Sequence, residues 1–140
     1  MHAYLILTNN NEVDLINLIP NLYQPIHKHF FSKIKIDDVR TINSFLTTLG
    51  HESHVIYFDT FLDIAQNAFL KTLEEPSVGK QIILVTNSKA GIYDTVLSRL
   101  TVIEDQDFNP RKMISSRFGT KMLNNRFYGV VYMSGLTAYD

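Results

Sequence analysis

The sequence predicts an α/β fold, a parallel sheet covered by helices in a three-layer arrangement. Three observations predict it. Short apolar runs alternate with helical patterns over roughly the first hundred residues, the order expected of a parallel sheet with crossover helices. Gln81 to Thr86 is nearly continuous in apolar residues, as a strand buried on both faces must be. Leu62, Ala65, Phe69 and Leu73 recur at the three- and four-residue spacing that buries one stripe of a helix, with Asp63, Asn67, Lys71 and Glu74 on the opposite side.

Taken in order, Ala3–Thr8 reads as the first strand. Glu12–Leu22 follows as a short helix limited by Pro20. Phe30–Ile36 alternates apolar and polar positions, as a second strand would. Asp37 then stands where a helix N-cap belongs. Val39, Ile42, Leu46 and Leu49 form the buried stripe of that helix, and Gly50 supplies its stop. Val55–Phe58 is the third strand, ending at Asp59, and the helix that begins near Leu62 is stopped by Pro76, which lacks an amide hydrogen. Ile92–Leu100 reads as a short helix and Thr101–Ile103 as a last strand. Beyond Asn109 the pattern weakens, with helical spacing over Arg111–Leu123 and strand character over Tyr128–Met133.

The bulk properties fit one soluble domain. The 140 residues are 45% hydrophobic and 19% charged, enough for a substantial core. No apolar run approaches the roughly 20 residues that span a bilayer, so no membrane partner is expected. No basic region precedes the apolar N-terminal run, which reads as a strand and not as a signal peptide. There is no cysteine, which excludes disulfides and cysteine-based zinc sites and makes a cytoplasmic location the default. The net charge of −1 is unevenly spread. Arg111, Lys112, Arg117, Lys121 and Arg126 fall in a stretch free of acids between Phe108 and Tyr139. The first four are the candidate nucleic-acid contacts, although scattered charges of this kind more often form an ordinary solvated surface.

The segment from Ala65 to Pro76 closely resembles the A-x-N-A-L-L-K-T-L-E-E-P signature of bacterial sliding-clamp loader subunits, the gamma/tau and delta-prime family of DNA polymerase III. Only Phe69 departs from it. Asn67, Lys71, Thr72, Glu74 and Glu75 carry the resemblance. His2-Ala3-Tyr4-Leu5, Ile36-Asp37-Asp38-Val39-Arg40, the Val55–Asp59 strand, Ile82–Asn87 and Leu97-Ser98-Arg99 resemble further family segments in the same order. The resemblance implies an AAA+ core over residues 1–107, without the helical lid and collar of the family. Residues 108–140 remain as a divergent basic tail able to pack on that core. The implied partners are other clamp-loader subunits, with DNA reached through the complex.

Several departures bear on activity. In the family, a glycine-rich loop ending in Gly-Lys-Ser/Thr follows the first strand and cradles phosphate with its amides. Here the stretch is Thr8-Asn9-Asn10-Asn11-Glu12-Val13-Asp14, with no glycine, no lysine and two carboxylates. Asp59 matches the magnesium-binding acid of the Walker B motif, but Thr60 replaces the glutamate that follows it. The expectation is a degenerate, non-hydrolysing subunit resembling delta-prime, with no cofactor and no catalytic residue of its own.

What the resemblance leaves is Arg99, preceded by Ser98, at the position of an arginine finger that completes a neighbour's ATP site. Read from charge alone, Arg99 caps the C-terminal end of a short helix. Thr86 and Asn87 match the sensor position; without nucleotide they are expected to finish a strand through turn hydrogen bonds. Asp59 and Asp63 invite a carboxylate pair, but acids at a helix start are explained by its dipole. Lys71 and Glu75 read as a solvated helix pair. His27-x-His29 and the loop spacing His51-x-x-His54 lack a third ligand, so no metal site is expected. Two other readings stand beside the leading one: an enzyme with an unconventional nucleotide loop, and a stand-alone binding module on a reused AAA+ scaffold that contacts DNA or a replication protein.

Overall fold

The computed structural model describes residues 2–75 and 77–110. Pro76, the helical and strand readings beyond Arg111, and the basic positions Arg111, Lys112, Arg117 and Lys121 lie outside the described residues. In chain order the elements are β1 (His2–Leu7), α1 (Leu15–Leu18), β2 (Ile26–Ile34), α2 (Ile36–Phe45), β3 (Glu52–Phe61), α3 (Asp63–Glu74), β4 (Lys80–Thr86), α4 (Asp94–Leu97) and β5 (Thr101–Glu104). The strands form one sheet in the order β2-β3-β4-β1-β5, and every pairing is parallel.

All seven residues of β4 are buried, which meets the expectation drawn from the apolar run. On one face, Val39 and Ile42 from α2 and Leu46 at its C-cap meet Ala65 and Phe69 from α3 and Val96 from α4, over Leu5, Leu7, Ile56, Phe58, Ile82 and Leu84 of the sheet. On the other, Leu15 and Ile19 cover Ile6, Val55, Tyr57, Ile83 and Val85. Alternate residues of one strand therefore feed two cores, as the period-two side-chain geometry requires.

Several boundaries differ from the sequence expectation. Strand β2 begins at Ile26 and takes in His27 and His29. Strand β3 runs on past Asp59, because Thr60 and Phe61 pair with Lys33 and Ile34. His54 accordingly belongs to a strand and not to a loop. Helix α2 starts one residue before Asp37, and its N-cap is Lys35. There the Asp38 carboxylate accepts the Lys35 amide at 2.8 Å, while Asp37 pairs with Arg40. Helix α1 is a single turn, and α4 is shorter than Ile92–Leu100.

Leu49 is 97% exposed and forms no part of the α2 stripe, because the helix has already ended at Phe45. Hydroxyls account for the early end: Ser44, Thr47 and Thr48 each donate to the carbonyl three residues back, drawing the chain away from regular helical bonding. Gly50 therefore shapes the turn into β3, with φ +96°, and does not stop the helix itself. In α3 the buried line runs Ala65, Gln66, Phe69 and Thr72, so it includes two polar residues, and Leu62 stays partly exposed.

Phe69 is fully buried and packs against Phe61 with ring centroids 5.5 Å apart. Phe69→Ala is expected to destabilise the fold by about 3–5 kcal/mol in urea denaturation, whereas Ile64→Ala, on the same helix but 65% exposed, should cost under about 0.5 kcal/mol.

Candidate functional site

In parallel α/β sheets the carboxyl ends of the strands are where ligands gather, and here the end of β1 is closed by side chains. Thr8 is fully buried, and its amide donates to the Thr86 carbonyl at 3.0 Å. The Thr8 hydroxyl donates to the Asp105 carboxylate at 2.7 Å. Asn10 adds its side-chain amide to the same oxygen at 3.2 Å, and its backbone amide donates to the Thr8 hydroxyl at 3.1 Å. The other Asp105 oxygen accepts the Gln106 amide, and the Asp105 amide donates to the Leu7 carbonyl. The Thr8 hydroxyl and the Asn10 side-chain amide are thus spent on a carboxylate supplied from the residue after β5. Glu12 and Asp14, the acids singled out in the sequence, lie exposed farther along. Sequence reasoning missed Asp105 because its partner is 97 positions away.

The helix that follows this loop is one four-residue turn. A phosphate cradle combines backbone amides with the dipole of a substantial helix; of the amides in this loop, that of Asn10 is bound to the Thr8 hydroxyl. Asp59 lies two residues beyond the last β3–β4 pair, Tyr57 with Val85, and is half-buried beside β2. Asp63 accepts the Tyr93 hydroxyl. Partial burial, then that hydrogen bond and the Asp63 charge, raise the Tyr93 hydroxyl above its ordinary value.

Thr86 corrects a second expectation. Its carbonyl does complete the strand, but its hydroxyl is buried with no hydrogen-bond partner among the described residues, as is the side-chain amide nitrogen of Asn9. Asn87 next to it is half-buried. Among the described residues no group of three or more His, Asp or Glu side chains is placed to hold a metal ion.

The signature helix contributes differently from the way its sequence suggests. Asn67, Lys71, Glu74 and Glu75 are exposed, whereas Thr72 is buried and its hydroxyl donates to the Asn43 side-chain oxygen at 2.6 Å, fastening α3 to α2. The residue that organises the neighbourhood is Gln66, which the sequence reading passed over. Its side-chain nitrogen donates to the carbonyls of Phe61 and Gly91, at 3.0 and 2.7 Å, and its oxygen accepts the Tyr93 amide at 2.8 Å. The available signal was a glutamine directly beside Ala65 of the apolar stripe.

Gln66 thereby fixes the segment that leads into α4 and Arg99. The Arg99 guanidinium lies at the surface, donating to the Thr95 carbonyl at 2.7 Å and to Glu74 at 2.6 Å. In the isolated chain it therefore occupies the helix-capping position that charge alone predicted, with Glu74 as the second partner. Ser98 beside it donates to the same Thr95 carbonyl. Lys71 forms no ion pair with Glu75; the α3 carboxylate that finds a cation is Glu74.

A five-stranded parallel sheet in the order β2-β3-β4-β1-β5 with helices on both faces is an α/β domain of a reduced AAA+ type. The family model described as "DNA polymerase III, delta subunit" matches residues 2–109, and the chain belongs to that family. Comparison with curated proteins gives no match. Among solved structures, a DNA polymerase III, gamma subunit-related protein from Thermotoga maritima is similar at 24% identity, with a TM-score of 0.58. The likeness covers 74% of this chain and 40% of that one. It supports the fold, and the chain spans well under half the length of that relative.

Two substitutions separate the buried from the exposed interactions at the site. Gln66→Ala strands two carbonyls and an amide, and is expected to cost about 1–3 kcal/mol or more in chemical denaturation. Glu74→Ala removes an exposed partner of Arg99 and should cost less than about 1 kcal/mol in the same measurement.

Proposed function

We propose that this chain is a non-hydrolysing clamp-loader subunit of the delta-prime kind, acting in DNA replication through contacts with other loader subunits and offering Arg99 to a neighbour's ATP site. The observation that carries the reading is the state of the β1 end. The Thr8 hydroxyl and the Asn10 side-chain amide are bound to Asp105, so the position of a phosphate loop presents a carboxylate. An anion approaching it meets like charge. The missing lysine and the Thr60 that follows Asp59 agree with the same conclusion.

Arg99 is poised for such a role by energetics as much as by position. Its bond to Glu74 is at the surface, with side-chain exposures of 36% and 52%. Exposed ion pairs contribute roughly 0–1 kcal/mol, so a phosphate-bearing neighbour competes for the guanidinium at little cost. Arginine suits the task because its planar fork of donors remains charged.

Two measurements test this reading. Titration calorimetry of the chain with magnesium-ATP should show no binding; saturable heat would overturn the non-catalytic assignment. In a reconstituted loader, Arg99→Ala should lower turnover at the adjacent site by about a thousandfold, the scale of arginine fingers, while the complex still assembles. An unchanged rate would remove Arg99 from catalysis.

A further inference from the structure

The opposite edge of the sheet, at the start of β3 and β4, holds a buried polar chain that the proposed function does not use. His29 from β2 and His54 from β3 are 5% and 3% exposed. His29 Nε2 lies 3.1 Å from His54 Nδ1, and His54 Nε2 lies 2.6 Å from the Glu52 carboxylate. The His29 ring stacks on Phe45, the last residue of α2, with centroids 4.7 Å apart, and His54 lies parallel to both rings. The chain therefore joins the edge strand β2 and the end of α2 to β3.

The bonding fixes where the protons are. A carboxylate accepts only, so His54 carries hydrogen on Nε2 and, when neutral, presents a lone pair at Nδ1. His29 must then donate from Nε2, which leaves its Nδ1 a bare lone pair. That nitrogen is buried and has no partner among the described residues, as the assignment requires. One further proton has no good place. On His29 Nδ1 it creates a buried cation without an acceptor. On His54 Nδ1 it points two N–H groups at each other unless His29 switches tautomer, and the switch leaves a buried His29 Nδ1–H without an acceptor.

The other charged groups facing the chain do not relieve this. From β2, His27 stacks on His54 and lies 3.3 Å from Glu52. From β4, the fully buried Lys80 ammonium donates to the Gly50 carbonyl at 2.8 Å and lies 3.5 Å from Glu52. From the end of α2, the Thr48 hydroxyl also reaches Glu52. Glu52 is thus the single anion among two histidines and a lysine. Burial tends to raise its carboxyl, and the His54 hydrogen bond and charge, Thr48 and Lys80 outweigh that effect, holding it at about 2.

We propose that the chain of neutral His29, neutral His54 and the Glu52 carboxylate is an acid-sensitive latch that holds β2 and α2 on the sheet and loosens when a proton is added. The latch is independent of the loader role, since it lies at the other end of the strands from Thr8 and Asp105. Burial first, then the neighbouring His54 and His27, hold His29 at about 3 against the opposing pull of Glu52. Burial likewise lowers His54, against Glu52. The unfolded chain takes up protons near 6.5 and the folded chain does not, so the stabilisation is complete above 6.5. It is lost as pH falls from there toward 3.

Nitrogen-edited NMR of the imidazole rings in the intact protein reads the latch directly. His29 is expected to remain the neutral Nε2–H tautomer from pH 7 to pH 5; titration near 6.5, or the other tautomer, would overturn the proposal. Urea unfolding gives a second reading. On passing from pH 7 to 5, His29 alone should lower the folding equilibrium constant by about 25-fold. His29→Phe, which keeps the stack on Phe45, should lose most of that dependence. A pH dependence equal to that of the unsubstituted chain would overturn the proposal, and if the variant does not fold the NMR titration decides.

Discussion

The burial of β4 between β3 and β1 is the constraint on which the rest depends. All seven of its residues are shielded, yet only Ile82–Val85 are apolar. Lys80 and Gln81 at one end and Thr86 at the other are polar groups taken out of water, and burial of such groups is costly unless they are bonded. Lys80 finds Gly50 and Glu52, and Gln81 finds Ser53, Tyr23 and Asn21. The loops at that edge are therefore held by the central strand. The Thr86 hydroxyl finds no partner among the described residues.

The polar contacts fall into two energetic ranks. Gln66 and the Thr8–Asp105 bond are wholly or partly shielded, so breaking them leaves groups that water does not readily reach. Arg99–Glu74 and Arg40–Asp37 are exposed, and their loss is largely compensated by water. Rigid interior ties and replaceable surface pairs thus occur side by side on α3. Gln66 on its buried line holds the approach to α4 in place, while Glu74 on its outer face restrains Arg99 only lightly. A fixed backbone carrying a lightly held guanidinium is an arrangement suited to a group that must reach another molecule.

The loop after β1 is tied back to the sheet by side chains. β1 still pairs with β4 and β5 along its length. The Thr8 hydroxyl and the Asn10 side-chain amide at its end are satisfied by Asp105. The scaffold needs those donors paired, and a carboxylate from the same chain meets that need.

The sequence alone determined the parallel α/β class, the central place of β4, and the amphipathic helix from Asp63 to Glu74, because these follow from local periodicity and burial on one or two faces. It also carried the resemblance that led to the family, and it located Arg99, Asp59 and Thr86. Only the tertiary structure decided which polar residues organise the site. Gln66 reads as one more position in a helix, Asp105 as a loop acid, and His54 as part of a loop, until residues 27, 97 and 25 positions away are brought against them. The ends of β3 and α2 were likewise beyond local pattern. β3 is lengthened by pairing with β2, and α2 is shortened by hydroxyls turning back on its own carbonyls. Periodicity records which face is apolar; a hydrogen bond between distant residues leaves no period in the sequence.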